Sequence, residues 1–169
     1  MQYTWNFASV NDTAEIMNLN LKIQHEVDTL FNFNPNVLAH NIVLGLVNQH
    51  YTAGSELLAV ARNADNKIIA FTWAKANEST IFSAEPMIYI RLAHVDPDLP
   101  VRTKIKLLKD QLTIWERFAQ LTNTPLIYSS TLREEQATFL RLHQQSGYTT
   151  RGSSAYKRVD LSTKPSSLF

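Results

Sequence analysis

The stretch VRTKIKLLKDQL, Val101 to Leu112, carries Arg102, Lys104, Lys106 and Lys109 with no acid before Asp110. Its apolar spacing predicts the opening turns of a helix. A helix start already holds partial positive charge, and each added cation costs about 0.3–1 kcal/mol there. The chemistry that suits such a segment is anion binding. Orphan backbone N–H groups, helped by ammonium or guanidinium charges, can hold a phosphate. Steps of four and three place Arg102, Lys106 and Lys109 on one face, with Lys104 on another. A solvated charged face accounts for the run about equally well.

Other chemistries are closed off by residue type. The chain has no cysteine, which excludes disulfides, thiolate metal sites and cysteine nucleophiles. Its five histidines are scattered, and no acid–His spacing suggests a metal. Four glycines occur, none of them between Ser55 and Ser146, so a Gly-rich phosphate loop is missing from that interval. The net charge of +1 lacks the basic excess of a duplex-binding protein, and nucleic acid is not the expected partner. The opening residues do not read as a signal peptide, and no apolar run reaches a membrane span. A soluble cytoplasmic protein is the expectation.

The 169 residues, 44% hydrophobic, suit one domain with its own core. YTWNFA alternates as an opening strand. Asp12 with Glu15 reads as a capping box, and Ile16, Leu19, Ile23, Val27 and Leu30 form one helical stripe that NFNPN ends. Leu38, Ile42 and Leu46 mark a second helix, ending near His50. ELLAVAR, KIIAFTWAKA and PMIYIRLAHV then predict an antiparallel meander from Glu56 to Val95, with turns at NADN and NEST. DPDLP ends it. A helix from Val101 to Leu121 carries Ile105, Leu108, Leu112, Trp115 and Ala119 on one face. TPLIYSS is a short strand, and LREEQATFLRLHQQSG a helix stopped by Gly147. YTTRGSSAYKRVDL closes as a strand pair or bulged strand, and residues 162–169 read as a poorly ordered tail. The step from the third meander strand through the helix to TPLIYSS predicts a βαβ unit with neighbouring parallel strands. On strand alternation His94 is expected to share a face with Ile88, Ile90 and Leu92, and a hydrogen-bonded core role is expected for it.

This order, with the residues inside it, resembles the GNAT superfamily of N-acetyltransferases. QATFLRLHQQSGY is similar to the family's carboxy-terminal "A…YeklGF", with Gly147-Tyr148 at the Gly-Phe position and His143 at the Tyr position. LAHVDPDLP resembles "laVhPeyrg" at the end of the fourth strand, and LLAVARNADNKIIAF resembles the "lvaeedgkiiGf" hairpin. The resemblance spans roughly residues 3 to 160. It implies an α/β (α+β) fold, a mixed and mainly antiparallel sheet with helices on both faces, in a single domain over 1–161. It further implies acetyl-coenzyme A as co-substrate, lying between two splayed parallel strands with its pyrophosphate at the start of the helix after the fourth strand. RTKIK stands where the family has a glycine-rich turn. Lys104 and Lys106 replace the glycines, either to hold phosphate as point charges or with loss of the cradle.

By the same resemblance, Ala93, His94 and Val95 are the strand backbone for the pantetheine arm. Val101, Arg102, Thr103, Lys104, Ile105 and Lys106 form the phosphate-binding helix start, and Gln136 lies near a position where relatives often have Asn. His143 is the candidate acid for the departing thiolate, since imidazole titrates near neutrality. Glu85 is the candidate base for the amine, and Ser129, Ser130 and Thr131 end the strand on the far side of the opening. The expected reaction is direct transfer of acetyl to a small-molecule or peptide amine. Two rivals remain open: a catalytically inactive binding or structural module of the same fold, and a coenzyme A binder without transfer. Homodimerisation is left open as well.

Overall fold

The computed structural model describes residues 2–28, 30–131 and 136–152. The predicted tail at 162–169, most of the closing strand pair, and the first residues of the helix after TPLIYSS lie outside the described residues. Strands β1 (Tyr3–Phe7), β2 (Glu56–Asn63), β3 (Ile68–Thr80), β4 (Ser83–Val95) and β5 (Leu126–Tyr128) form one sheet in that order. All neighbours are antiparallel except β4 and β5, which are parallel. Helices α1 (Thr13–Leu21) and α3 (Pro35–Tyr51) lie over β2 and β3, with the short α2 (Gln24–Asp28) between them. On the other face α4 (Val101–Leu121) lies over β3, β4 and β5, and α5 (Ala137–Gln145) follows β5.

Each face has its own apolar layer. Ile16, Leu19, Ile42 and Leu46 bury against Leu58, Val60, Phe71 and Trp73. On the α4 face Leu112, Trp115 and Phe118 bury against Ala74, Ile88 and Ile90. Each fully buried Ile, Leu or Phe side chain contributes about 1.5–3 kcal/mol of transfer free energy. Gly45 lets α3 approach the sheet, because a Cβ there would stand 2.8 Å from the Trp73 ring and 3.0 Å from Glu56 Oε2.

The structure corrects four local readings. The stripe from Ile16 to Leu30 is two helices, since α1 stops at Leu21. The capping box belongs to Ser9 and Asp12, where Ser9 N donates to Asp12 Oδ2 at 2.7 Å. Asp12 and Glu15 both accept instead from Arg62, at 2.6 and 3.1 Å. The NEST turn is strand: β3 runs on to Thr80, and the hairpin tip falls at Ile81 and Phe82.

The fourth correction concerns β4. Trp73 pairs with Leu92, and the next residue of β3, Ala74, pairs with Ile90, so Arg91 is an extra residue in β4. This β-bulge resets the alternation. Ile88 and Ile90 face α4, whereas Leu92 packs in the opposite layer and His94 sits across from Phe71 of that layer. His94 therefore does not share the face of Ile88 and Ile90.

Candidate active site

The parallel ladder between β4 and β5 is three couples long. Met87 pairs with Leu126, Ile88 with Ile127, and Tyr89 with Tyr128. Beyond Tyr89, β4 runs on to Val95 without a β5 partner. The bulge at Arg91 bends and twists β4 just past that last couple, which is the local cause of the separation. The result is a fork, open toward the carboxyl ends of both strands.

The backbone inside the fork has a definite polarity. Asp96 N donates to Ile69 O at 2.9 Å. Antiparallel couples alternate between bonded and non-bonded, so His94 turns its N–H and C=O toward Phe71 of β3. The His94 carbonyl also accepts from Gln111 Nε2 at 3.3 Å, and the buried Gln111 reaches Phe71 O at 3.1 Å. Ala93 and Val95, the intervening residues, turn their peptide groups to the open side. Of the three expected strand positions, two face the fork and His94 does not.

Helix α4 begins at the end of this edge. Its N-cap is Pro100, and no side chain caps the helix start. The Thr103 and Lys104 amides bond to Pro100 O at 2.9 and 3.0 Å, which leaves the Val101 and Arg102 amides as the orphan donors of the first turn. Val101 and Arg102 are exposed. The lysines have partners within the fold. Lys104 Nζ donates to Pro97 O at 3.0 Å, and Lys106 Nζ sits 4.8 Å from the Tyr3 ring centroid. Ile105 packs with Ala93 against the α4-side core, and Thr103 is half-buried. Arg102 is the cation of this first turn without a partner among the described residues.

The loop before α4 is fixed from the other layer. Lys22, just past α1, donates to Asp96 at 2.7 Å and Asp98 at 2.7 Å. Those two hydrogen bonds raise the Lys22 pKa above its ordinary value, the Asp96 bond most.

Across the fork, His143 of α5 meets Ser129 at the end of β5. Nδ1 lies 2.9 Å from Phe139 O. A carbonyl can only accept, so Nδ1 carries the proton and donates. Nε2, at 3.1 Å from Ser129 Oγ, is then the acceptor of the Ser129 hydroxyl in the neutral ring. His143 is buried among Phe139 (ring centroids 3.9 Å), Tyr148 (4.9 Å) and Trp115 (6.1 Å). Burial pushes its pKa below the usual histidine value, partly opposed by the Phe139 carbonyl. Burial likewise pushes the Tyr148 phenol up to about 12. Burial thus favours the neutral form of this imidazole, with its acceptor nitrogen toward Ser129.

Glu85 is not brought to this place. It is exposed near the start of β4, its N–H bonded to Ser83 Oγ, and eight residues before Ala93, roughly 26 Å along the strand. Gln136 is exposed at the N-cap of α5, where its carbonyl accepts from Leu140 N at 2.9 Å. Sequence reasoning passed over Gln111 and Thr72 entirely. Both are fully buried; Thr72 Oγ1 accepts from Trp115 Nε1 at 2.8 Å. Gln111 stands one turn from Leu107 and one turn from Trp115, and that helical spacing was the available signal.

A separate cleft of about 1220 Å³ lies near the β1–β2 edge, lined by Phe7, Val47, Tyr51, Leu121 and others. It contains no fork residue.

No protein-family model matches the sequence, and no curated protein does. Solved structures do match. An aminoglycoside acetyltransferase, AAC(6')-Iy, in complex with the bisubstrate analog CoA-S-monomethyl-acetylneamine, is 15% identical with a TM-score of 0.67. That match covers 95% of this chain and 99% of the other. Glucosamine-6-phosphate N-acetyltransferase from Arabidopsis thaliana is 10% identical at 0.67, over 95% and 100%. A predicted acetyltransferase from Clostridium acetobutylicum, solved with acetyl-CoA, is 14% identical at 0.66, over 95% and 97%. The chain shares the fold of these three structures.

Proposed function

We propose that this GNAT-fold domain is an acetyltransferase, moving acetyl from acetyl-coenzyme A to an amine by direct attack. The observation that carries the reading is the fork. Its ladder stops at Tyr89 and Tyr128, and the α4 start that follows β4 has two orphan amides. The structural neighbours named above, two of them solved with a coenzyme A ligand, support the same reading.

The residues suit a long acyl carrier with amide groups and phosphates. The peptide edges of Ala93 and Val95 offer strand-like hydrogen bonds to an extended arm, as an added strand would use them. The Val101 and Arg102 amides, aided by the helix dipole and the Arg102 guanidinium, suit a pyrophosphate. Side chains at 104 and 106 leave that position open, because Lys104 folds back to Pro97 and Lys106 turns to Tyr3. When bound, acetyl-coenzyme A supplies the activated thioester.

Catalysis in this scheme is mainly positioning, which converts a bimolecular attack into an effectively unimolecular one. An outward peptide N–H of β4 polarises the thioester carbonyl as charge develops on oxygen. Ser129 Oγ stands on the opposite wall, where its hydroxyl can donate to the departing thiolate once its one proton turns away from His143 Nε2. His143 holds Ser129 in place. Because burial favours its neutral form, it holds the hydroxyl before transfer and does not supply the proton. The carboxylate that adjoins the fork edge, Asp96, is paired with Lys22, so the amine enters as its free base and sheds its proton to water. The test is thiol release from acetyl-coenzyme A across an amine panel. Amine-dependent release supports transfer, and binding without release leaves the coenzyme A binder.

A further inference from the structure

The face of β4 and β5 opposite α4 presents a group of residues that the transfer scheme does not use. Ile88, Ile90 and Ile127 pack on the α4 side, so Tyr89, Leu126 and Tyr128 point the other way. The Tyr89 and Tyr128 rings stack with centroids 5.4 Å apart and planes 14° from parallel. Leu126 and Tyr128 are each 45% exposed. Arg91, the bulge residue, lies two positions beyond Tyr89 and is exposed, its Cζ 5.2 Å from the Trp73 ring centroid.

The state of Arg91 sets it apart. The other cations on or beside this face have carboxylates: Arg62 has Asp12 and Glu15, Lys75 has Glu78, and Lys22 has Asp96 and Asp98. Arg91 has no carboxylate among the described residues. Glu56, on the same indole, is committed to Trp73 Nε1 at 2.5 Å and to Asn48 Nδ2 at 2.9 Å. Stacking on Trp73 uses the face of the guanidinium and leaves the N–H donors around its rim free. A planar donor set held over a ring is preorganised for a carboxylate or a phosphate.

We propose that the acceptor amine of this fork also carries an anionic group, a carboxylate or phosphate, which Arg91 binds while the acceptor's body lies on Tyr89 and Tyr128. This rests on the acetyl-transfer reading and adds the acceptor's chemical class to it. Arg91 stands at the point where the two strands part, two residues before Ala93. An acceptor anchored there can send its amine into the fork from the face opposite α4. Arg91 is then a specificity-determining residue with no part in the bond exchange.

The experiment uses matched amines with and without the anion: tyrosine against tyramine, and phosphoethanolamine against ethanolamine. The first pair reads carboxylate, the second phosphate. The wild-type chain is expected to favour the anionic member of at least one pair by about tenfold or more in kcat/KM, a single well-made charged contact. Arg91→Gln is expected to raise KM for that member by a similar factor and to leave its matched partner within about twofold. Arg91→Lys should restore part of the loss. Calorimetric binding of acetyl-coenzyme A, measured in parallel, should be the same for all three chains, and circular dichroism checks folding. Equal loss for both members of a pair, or a wild-type preference for the neutral-tailed amines, overturns the proposal. Should none of the four amines turn over, binding of tyrosine and phosphoethanolamine to the coenzyme A complex, read by tryptophan fluorescence, decides. Binding that is absent, or indifferent to Arg91→Gln, overturns it. Failure of acetyl-coenzyme A itself to bind is a separate result and defeats the transfer reading instead.

Discussion

Ser129 and His143 meet on the β5 side of the fork with Oγ and Nε2 3.1 Å apart, and the Phe139 carbonyl fixes which of them donates. If Ser129 presents the hydroxyl to the leaving sulfur, Ser129→Ala should lower kcat by roughly 10- to 100-fold, the worth of one hydrogen bond to a charged group. KM for acetyl-coenzyme A should change little. Steady-state kinetics on the two chains check this, and an unchanged kcat would remove Ser129 from the mechanism.

The same pair predicts a stability profile. Burial lowers the folded-state pKa of His143 relative to an unfolded value of about 6.5. Below that value the unfolded chain binds more protons than the folded one, so stability rises with pH through the window between the two pKa values. The contribution is complete above about pH 6.5 and is lost as pH falls through the folded pKa. His143→Gln should flatten this part of the curve in urea titrations carried downward from about pH 6.5. An identical pH slope in the variant would contradict the assignment.

At the helix start, the two kinds of cation should separate. Arg102→Glu should weaken acetyl-coenzyme A binding by about tenfold at low salt, with the difference shrinking as salt rises. Lys106→Glu should have a much smaller effect on affinity, because its ammonium lies over Tyr3. Calorimetry in two salt concentrations measures both. A larger effect at Lys106 than at Arg102 would reverse the picture.

Gly45→Ala tests the packing of α3 on the sheet. The new Cβ would stand 2.8 Å from the Trp73 ring, whose indole N–H is held by Glu56. Ala is otherwise the better helix former by about 1 kcal/mol. Overpacking should prevail and cost about 1–3 kcal/mol in chemical denaturation. A stabilised variant would show that α3 shifts freely.

The legible parts of this chain were those with a period. The meander, the long α4 with Leu112, Trp115 and Ala119 on its buried side, and the stop at Gly147 follow from local pattern, and Gly147 has φ of 83° as a helix end requires. The bulge at Arg91 was not legible. One extra residue leaves a strand's composition unchanged while reversing every later side chain, so His94 was placed on the wrong face. The break between Leu21 and Gln24 was hidden because the apolar stripe continues through it. That Glu85 lies at the far end of β4 was hidden for a different reason: proximity along the chain says nothing about which end of a long strand reaches the site. The fork itself depends on where pairing stops, which is a tertiary fact. Arg91 was visible as a residue and became informative only once its neighbours' partners were known.

The central claim is that the gap between β4 and β5 receives acetyl-coenzyme A, and direct titration tests it. Thermal unfolding followed with increasing acetyl-coenzyme A should show a midpoint that climbs steadily with ligand, as mass action requires for a ligand of the folded state. Calorimetry should give one site per chain, with binding weakened by Arg102→Glu. A midpoint that stays fixed up to millimolar ligand, with no heat of binding, would contradict the account.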